Sequence, residues 1–255
     1  MLLLVAKIMA AVVAVVGLAW IAERSGPRLA GVLSGYPLGT AIVLFFYGIE
    51  HGPEFAAQAA LYGQLGLAAT TGYCLVYTLS AQGAEPKAWR PMAVAVMALV
   101  LFALVAQSLP PMGAAGALLA AAVALLSIRI TRRVPEPEFV AVKAGPMMVW
   151  GRALLAAAIV VVITALAHWL PESLAGVMAA FPVTLFPLML LLQLEYGNRP
   201  VAVLAKHYPF GVGSLIVYGL SVWASYPALG VGMGTLASFG AATLYLMLFL
   251  KIRGR

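Results

Sequence analysis

The side chains able to do chemistry in this 255-residue chain are few: eight carboxylates, three histidines and Cys74, with the carboxylates all glutamate. Glu50-His51, Glu54, His168 and Glu172 combine imidazole and carboxylate, the donors that a first-row divalent cation takes. No helical histidine pair and no HExxH spacing accompanies them, so no metal site is expected. One cysteine can form neither an intramolecular disulfide nor a thiolate cage. There is no Ser-His-acid order with a supporting motif and no phosphate-cradling glycine loop. Gly211-Val-Gly213 and Gly230-Val-Gly-Met-Gly234 lie in apolar runs, where they read as close helix packing. The chain is therefore not expected to be an enzyme, and no cofactor is expected.

The remaining charges fall into a pattern. Lys7 and Arg152 each lie near the start of an apolar run, and Glu50 and Glu195 each end the next one, 145 residues apart in both cases. An ionisable group in a bilayer is costly and tends to have a role. Two ion pairs, Lys7–Glu50 and Arg152–Glu195, are expected, either anchoring helix ends at the interface or serving gating or proton coupling. Lys206 is expected to snorkel to the surface, and the neighbouring His207 to be a hydrogen-bonded structural histidine. Gln58, Gln64, Gln107 and Gln193 are able to bond between helices.

The elements that must position these groups are duplicated. Adding 145 to each position of Leu29–Gly52 lands on Leu174–Gly197 without a gap, and seven of the 24 pairs are identical, among them Gly31/Gly176, Pro37/Pro182, Glu50/Glu195 and Gly52/Gly197. Leucine and alanine matches are cheap in so apolar a chain. Prolines and lone glutamates in register are not, and they indicate an internal repeat.

Composition says where the repeats sit. With 64% hydrophobic residues, 9% charged residues and a mean hydropathy of +1.03, the chain is not a soluble domain, whose charged share is about 25%. Runs long enough to span a bilayer occur at 2–22, 29–50, 55–80, 91–108, 112–130, 149–169, 174–195, 200–225 and 228–250. The expected fold is an all-α polytopic membrane protein of nine transmembrane helices. Residues 1–108 form a first four-span repeat, 109–148 a linker span with a cytoplasmic loop, and 149–255 a second repeat turned over by the linker, a four-plus-one-plus-four inverted arrangement. With nine spans, 14 of the 15 Lys and Arg residues fall on one side and Lys7 alone on the other. The positive-inside rule then places the amino terminus outside and the carboxyl terminus in the cytoplasm. The net charge of +7 reports that orientation, so the lipid bilayer is the expected partner and nucleic acid is not.

Proline removes a backbone donor and clashes with the preceding turn, so spans 2 and 7 should break near Pro37 and Pro182. Paired broken helices in inverted repeats point to the central site of a transporter. Ser34, Tyr36, Pro37 and Thr40 from one break, with Phe181, Pro182 and Thr184 from the other, are the candidate substrate-binding residues. Hydroxyls and aromatic faces without a charge suit a small neutral or amphipathic solute, moved by alternating access.

The pattern Leu-Ala-Gly-Val, then an aromatic-Pro pair, then an apolar run closing with Glu-x-Gly, resembles the GlpM-like family of small bacterial inner-membrane proteins. Members of about half this length carry one copy, which implies a four-span unit able to pair with an inverted partner. The resemblance also implies a link to alginate-type envelope polysaccharide production, and hence an alternative function: a non-transporting membrane subunit, or part of a lipid-linked sugar flippase. The partners implied are envelope-biosynthesis proteins or a second copy of the chain. No catalytic residue is carried over by it.

Overall fold

The computed structural model describes residues 1–106, 112–136 and 145–253, without the side chains of 18–27, 29, 106, 146 and 253. Gln107, the Leu109-Pro110-Pro111 turn, Glu138, Lys143 and Arg255 lie outside the described residues, as do the side chains of Arg24 and Arg253. Among the described residues the fold is all-helical, 85% helix with no strand. Ten helices follow one another: α1 (Leu2–Ser34), α2 (Leu38–His51), α3 (Pro53–Ser80), α4 (Arg90–Ala106), α5 (Ala114–Thr131), α6 (Pro146–Leu166), α7 (Glu172–Ala179), α8 (Leu185–Tyr196), α9 (Asn198–His207) and α10 (Val212–Arg253). Among the described residues, four segments are long and apolar enough to cross a membrane: Ala30–His51, Ala114–Thr131, Met147–Leu166 and Val212–Ile252.

Local chemistry explains most boundaries. Gly52 and Gly197 take φ of +97° and +78°, a region open to glycine at no steric cost, and so end α2 and α8 abruptly. Pro53 then opens α3 at a position where its missing N–H is not needed. In α10, Pro227 and the non-helical Gly230 interrupt a 42-residue helix, where two runs, 200–225 and 228–250, were expected.

Two expectations need correction. Glu23–Arg28 was read as a break between spans, yet α1 runs through it to Ser34 as one 33-residue helix. Charged residues interrupt an apolar run, but they do not disturb the i→i−4 backbone bonds, so hydropathy marks a membrane boundary and not a helix end. Conversely, the run at 200–225 is not one helix. The single 3₁₀ turn Tyr208–Phe210 separates α9 from α10, because Pro209 cannot donate to the preceding turn.

Packing is centred on α3, which touches α2, α4, α5, α7, α9 and α10, while α1 lies along α6. Apolar helices gain little from one another by hydrophobicity inside lipid, so they associate by close packing at small residues. Two crossings show this. A Cβ at Gly31 would sit 2.5 Å from Leu204 O and 2.9 Å from His207 Cβ, and one at Gly176 would collide with Ala59 O and lie 2.8 Å from Tyr62 Cβ. Leu204 and His207 are the positions 145 beyond Ala59 and Tyr62, so both crossings use the same pairs of positions.

Candidate functional site

The helix breaks are built alike. At the first, Tyr36 N–H donates to Leu33 O (2.9 Å), Leu38 N–H to Tyr36 O (2.8 Å) and Ala41 N–H to Pro37 O (2.8 Å). At the second, Phe181 N–H donates to Met178 O (3.0 Å), Val183 N–H to Phe181 O (2.7 Å) and Phe186 N–H to Pro182 O (2.8 Å). Every donor and acceptor differs by 145. A break also strands carbonyls that a helix would have satisfied, and here side chains meet two of them. Ser214 Oγ donates to Gly35 O at 2.7 Å, and Thr70 Oγ1 to Ala180 O at 3.1 Å.

The two breaks face each other. A Cβ on Gly39 would come within 3.0 Å of Val183 Cβ and 3.4 Å of Thr184 Cγ2. Ser34, Tyr36, Thr40, Phe181, Pro182 and Thr184 line one small cavity of about 10 Å³, closed on its remaining sides by residues that include Leu67, Tyr208 and Leu215. Six of the seven candidate substrate-binding residues therefore meet there, and Pro37 does not line the void. At that volume the space is near the least that holds one water. Tyr36 points its hydroxyl at Thr243 Oγ1, 2.8 Å away on α10. Phe181 also lines a second, apolar cavity of about 370 Å³, walled by α3, α4, α6 and α7. Phe181 thus lines both a small polar void and a larger apolar one.

The charged ends differ from each other. Lys7 Nζ lies 2.7 Å from Glu50 Oε1 and 2.8 Å from Oε2, with side-chain exposures of 8% and 13%. This is a largely buried contact, with the Lys7 ammonium also 5.7 Å from the Phe46 ring centre. Among the ion pairs of the described residues the corresponding pair, Arg152–Glu195, does not occur: Arg152 is buried, whereas Glu195 is exposed among the exposed Leu194 and Tyr196. The end of α8 is held by other means. Gln193 bonds to Tyr77 Oη and donates from Nε2 to Ala88 O (2.9 Å), Asn198 N–H donates to Pro86 O (2.7 Å), and Asn198 Nδ2 donates to Glu85 O (2.7 Å). With the 81–89 loop securing that end, Glu195 is left exposed.

The carboxylate that organises the other cluster is Glu136, which spacing did not single out. It accepts from Arg28 Nε (2.7 Å) and Lys206 Nζ (2.9 Å) and lies 3.1 Å from His207 Nε2. Lys206 also donates to Val134 O at 2.7 Å. Partial burial pushes the Glu136 carboxyl up, but the Lys206 hydrogen bond and the charges of His207 and Lys206 outweigh this and hold it at about 2. Lys206 does not snorkel into open water. It closes onto a connection about 70 residues earlier in sequence, and no local motif could have announced that. Of the glutamines, Gln193 does bond between elements, while Gln64 Nε2 returns to Ala60 O of its own helix at 3.3 Å.

Tested against family models, curated proteins and solved structures, the chain matches none.

Proposed function

We propose that the protein is a secondary transporter of a small neutral or amphipathic solute, built as two inverted four-span repeats around a linker span. In this reading it works by alternating exposure of a site between the two helix breaks. The observation that carries it is the meeting of those breaks: two interruptions with the same backbone bonds, facing each other across a void lined by Ser34, Tyr36, Thr40 and Thr184. Matched breaks of this kind are the usual makings of a transporter site. The paired glycine crossings support the repeat, since Gly31 and Gly176 meet equivalent positions. The contacts of Arg28, Glu136 and Lys206, and of Glu85 and Pro86 with Asn198, support an arrangement in which the basic loops share one side. By charge that side is the cytoplasmic face of a bacterial inner membrane, with the amino terminus outside.

A void of about 10 Å³ holds no solute. In this reading uptake therefore requires α2 and α8 to move. Phe181, lining both the polar void and the apolar cavity, would place a polar group on one side of its ring and an apolar group on the other, which favours an amphipathic solute.

The closed packing favours a second reading, a non-transporting subunit or flippase component of envelope polysaccharide synthesis, in keeping with the GlpM-like resemblance. The two are separated by uptake into liposomes of purified protein against a solute panel. With transport, Pro37→Ala and Pro182→Ala let each helix regain backbone bonds, so thermal stability holds or rises while uptake falls. Wild-type uptake by the folded double variant would remove the breaks from the mechanism, and no uptake of any solute would leave the subunit reading in front.

A further inference from the structure

We propose that Glu50, His51 and His168 form a binding site for a first-row divalent cation, Zn²⁺ before others, at the end of α2. One donor atom from each side chain lies within 4.8 Å of the other two. The imidazole of His168 comes from the turn after α6, more than a hundred residues along the chain, and its ring centre stands 4.5 Å from that of His51 at 68°. Zinc holds nitrogen and oxygen donors at about 2.0–2.2 Å, which puts tetrahedral donors about 3.3 Å apart. Closing the cluster takes a shift of up to about 1.5 Å, which the exposed His168 on its turn is placed to make.

Two features point to a ligand. His51 Nε2 is shielded from solvent and has no hydrogen-bond partner, and a buried nitrogen in that state calls for an explanation. Its ring plane is set by Phe55, centre to centre 4.7 Å, and by Tyr47 at 6.3 Å, so the nitrogen is aimed before anything binds. His168 Nδ1 lies 3.3 Å from Thr164 O. Donation there leaves Nε2 as the unprotonated nitrogen, the arrangement by which metal-binding histidines are oriented. Two imidazoles and one carboxylate suit zinc and its neighbours, whereas Mg²⁺ and Ca²⁺ prefer oxygen alone.

Lys7 is a competitor built into the site. Its ammonium contacts both Glu50 oxygens, while an ionised carboxylate offers about four acceptor positions. A cation therefore shares Glu50 with Lys7 against their mutual repulsion, or displaces it. Bound metal would tie the end of α2 to the turn between α6 and α7, and this site stands independently of whether the protein transports a solute.

The test is calorimetric titration of the whole purified protein, chelator-stripped and free of any histidine tag, with ZnCl₂, and thermal unfolding in parallel. The expected result is one Zn²⁺ per chain, with a Tm that rises with Zn²⁺ and not with equal Mg²⁺. His168→Ala changes an exposed turn residue and so spares the fold; it should weaken binding at least tenfold. Lys7→Met should tighten binding and enlarge the zinc-dependent rise in Tm. No uptake of Zn²⁺ by the wild type, or wild-type affinity in His168→Ala, overturns the site. If folded Lys7→Met binds no more tightly, Glu50 is not a ligand and the three-residue assignment falls.

Discussion

Around Pro37 and Pro182 the two halves of the chain are built alike, yet about a dozen residues further on they part company. Both breaks use the same three backbone hydrogen bonds, and both approach their crossing helix through a glycine at the same position. At the far ends of α2 and α8, Glu50 is buried against Lys7, whereas Glu195 faces solvent and loop bonds from Gln193 and Asn198 do the securing. The breaks are shaped by local constraints that both halves share: a proline without a donor, and a crossing with no room for a Cβ. A helix end can be fastened in several ways, by an ion pair or by a loop, so its chemistry is free to diverge. Function that needs symmetry belongs at the breaks, and function specific to one face belongs at the ends.

The largest effect should come from the divergent ends. Interface ion pairs are usually worth about 0–1 kcal/mol, but Lys7 and Glu50 are mostly buried. Removing one member of a buried pair strands the other charge and costs about 3–5 kcal/mol. Glu50→Gln should therefore lower the midpoint of thermal unfolding in detergent far more than Glu195→Gln, which alters an exposed group and should stay within about 0.5 kcal/mol. Equal losses from the two variants would show that exposure does not distinguish the ends.

Next come the crossings, where the halves should respond alike. Gly31→Ala and Gly176→Ala each drive a methyl group into backbone, Leu204 O in one case and Ala59 O in the other. Overpacking of this kind costs about 1–3 kcal/mol, offset in part by the helix propensity of alanine, about 1 kcal/mol. Gly240→Ala, within α10 and with nothing inside 4 Å of its Cβ, gains the propensity without the clash and should hold or raise the midpoint. A Gly31→Ala protein as stable as wild type beside a crippled Gly176→Ala protein would break the equivalence of the crossings.

What could be read from sequence follows the same division. Helix positions and the breaks were legible because apolar runs and prolines act locally: α3, α5 and α6 begin and end within a few residues of the expected spans. The gathering of Ser34, Tyr36, Thr40, Phe181, Pro182 and Thr184 was legible because the repeat brought long-range information into the sequence. Residues without a repeat partner gave no such signal. Nothing near Glu136 indicates that Arg28, Lys206 and His207 will converge on it, and the continuity of α1 through Glu23–Arg28 was hidden because charge was read as a helix end.

The smallest effect tests that one unduplicated cluster, through pH. The folded protein holds the Glu136 carboxyl at about 2, below its ordinary 4.5, so folding favours the ionised form. Its contribution is fully present above about pH 4.5 and is lost as the pH falls from there towards 2. Arg28 is 70% exposed and screened by solvent, so the contribution should be about 1 kcal/mol and not the larger value that a fully buried group would give. The measurement is the unfolding midpoint of wild type and Glu136→Gln between pH 7 and 2.5. The wild type should be the more stable above pH 5, and the two curves should converge as the carboxyl protonates. A gap that stays constant to pH 2.5 would mean that Glu136 acts through shape and hydrogen bonding alone, and that its charge does not join α1 and α9 to the connection that follows α5.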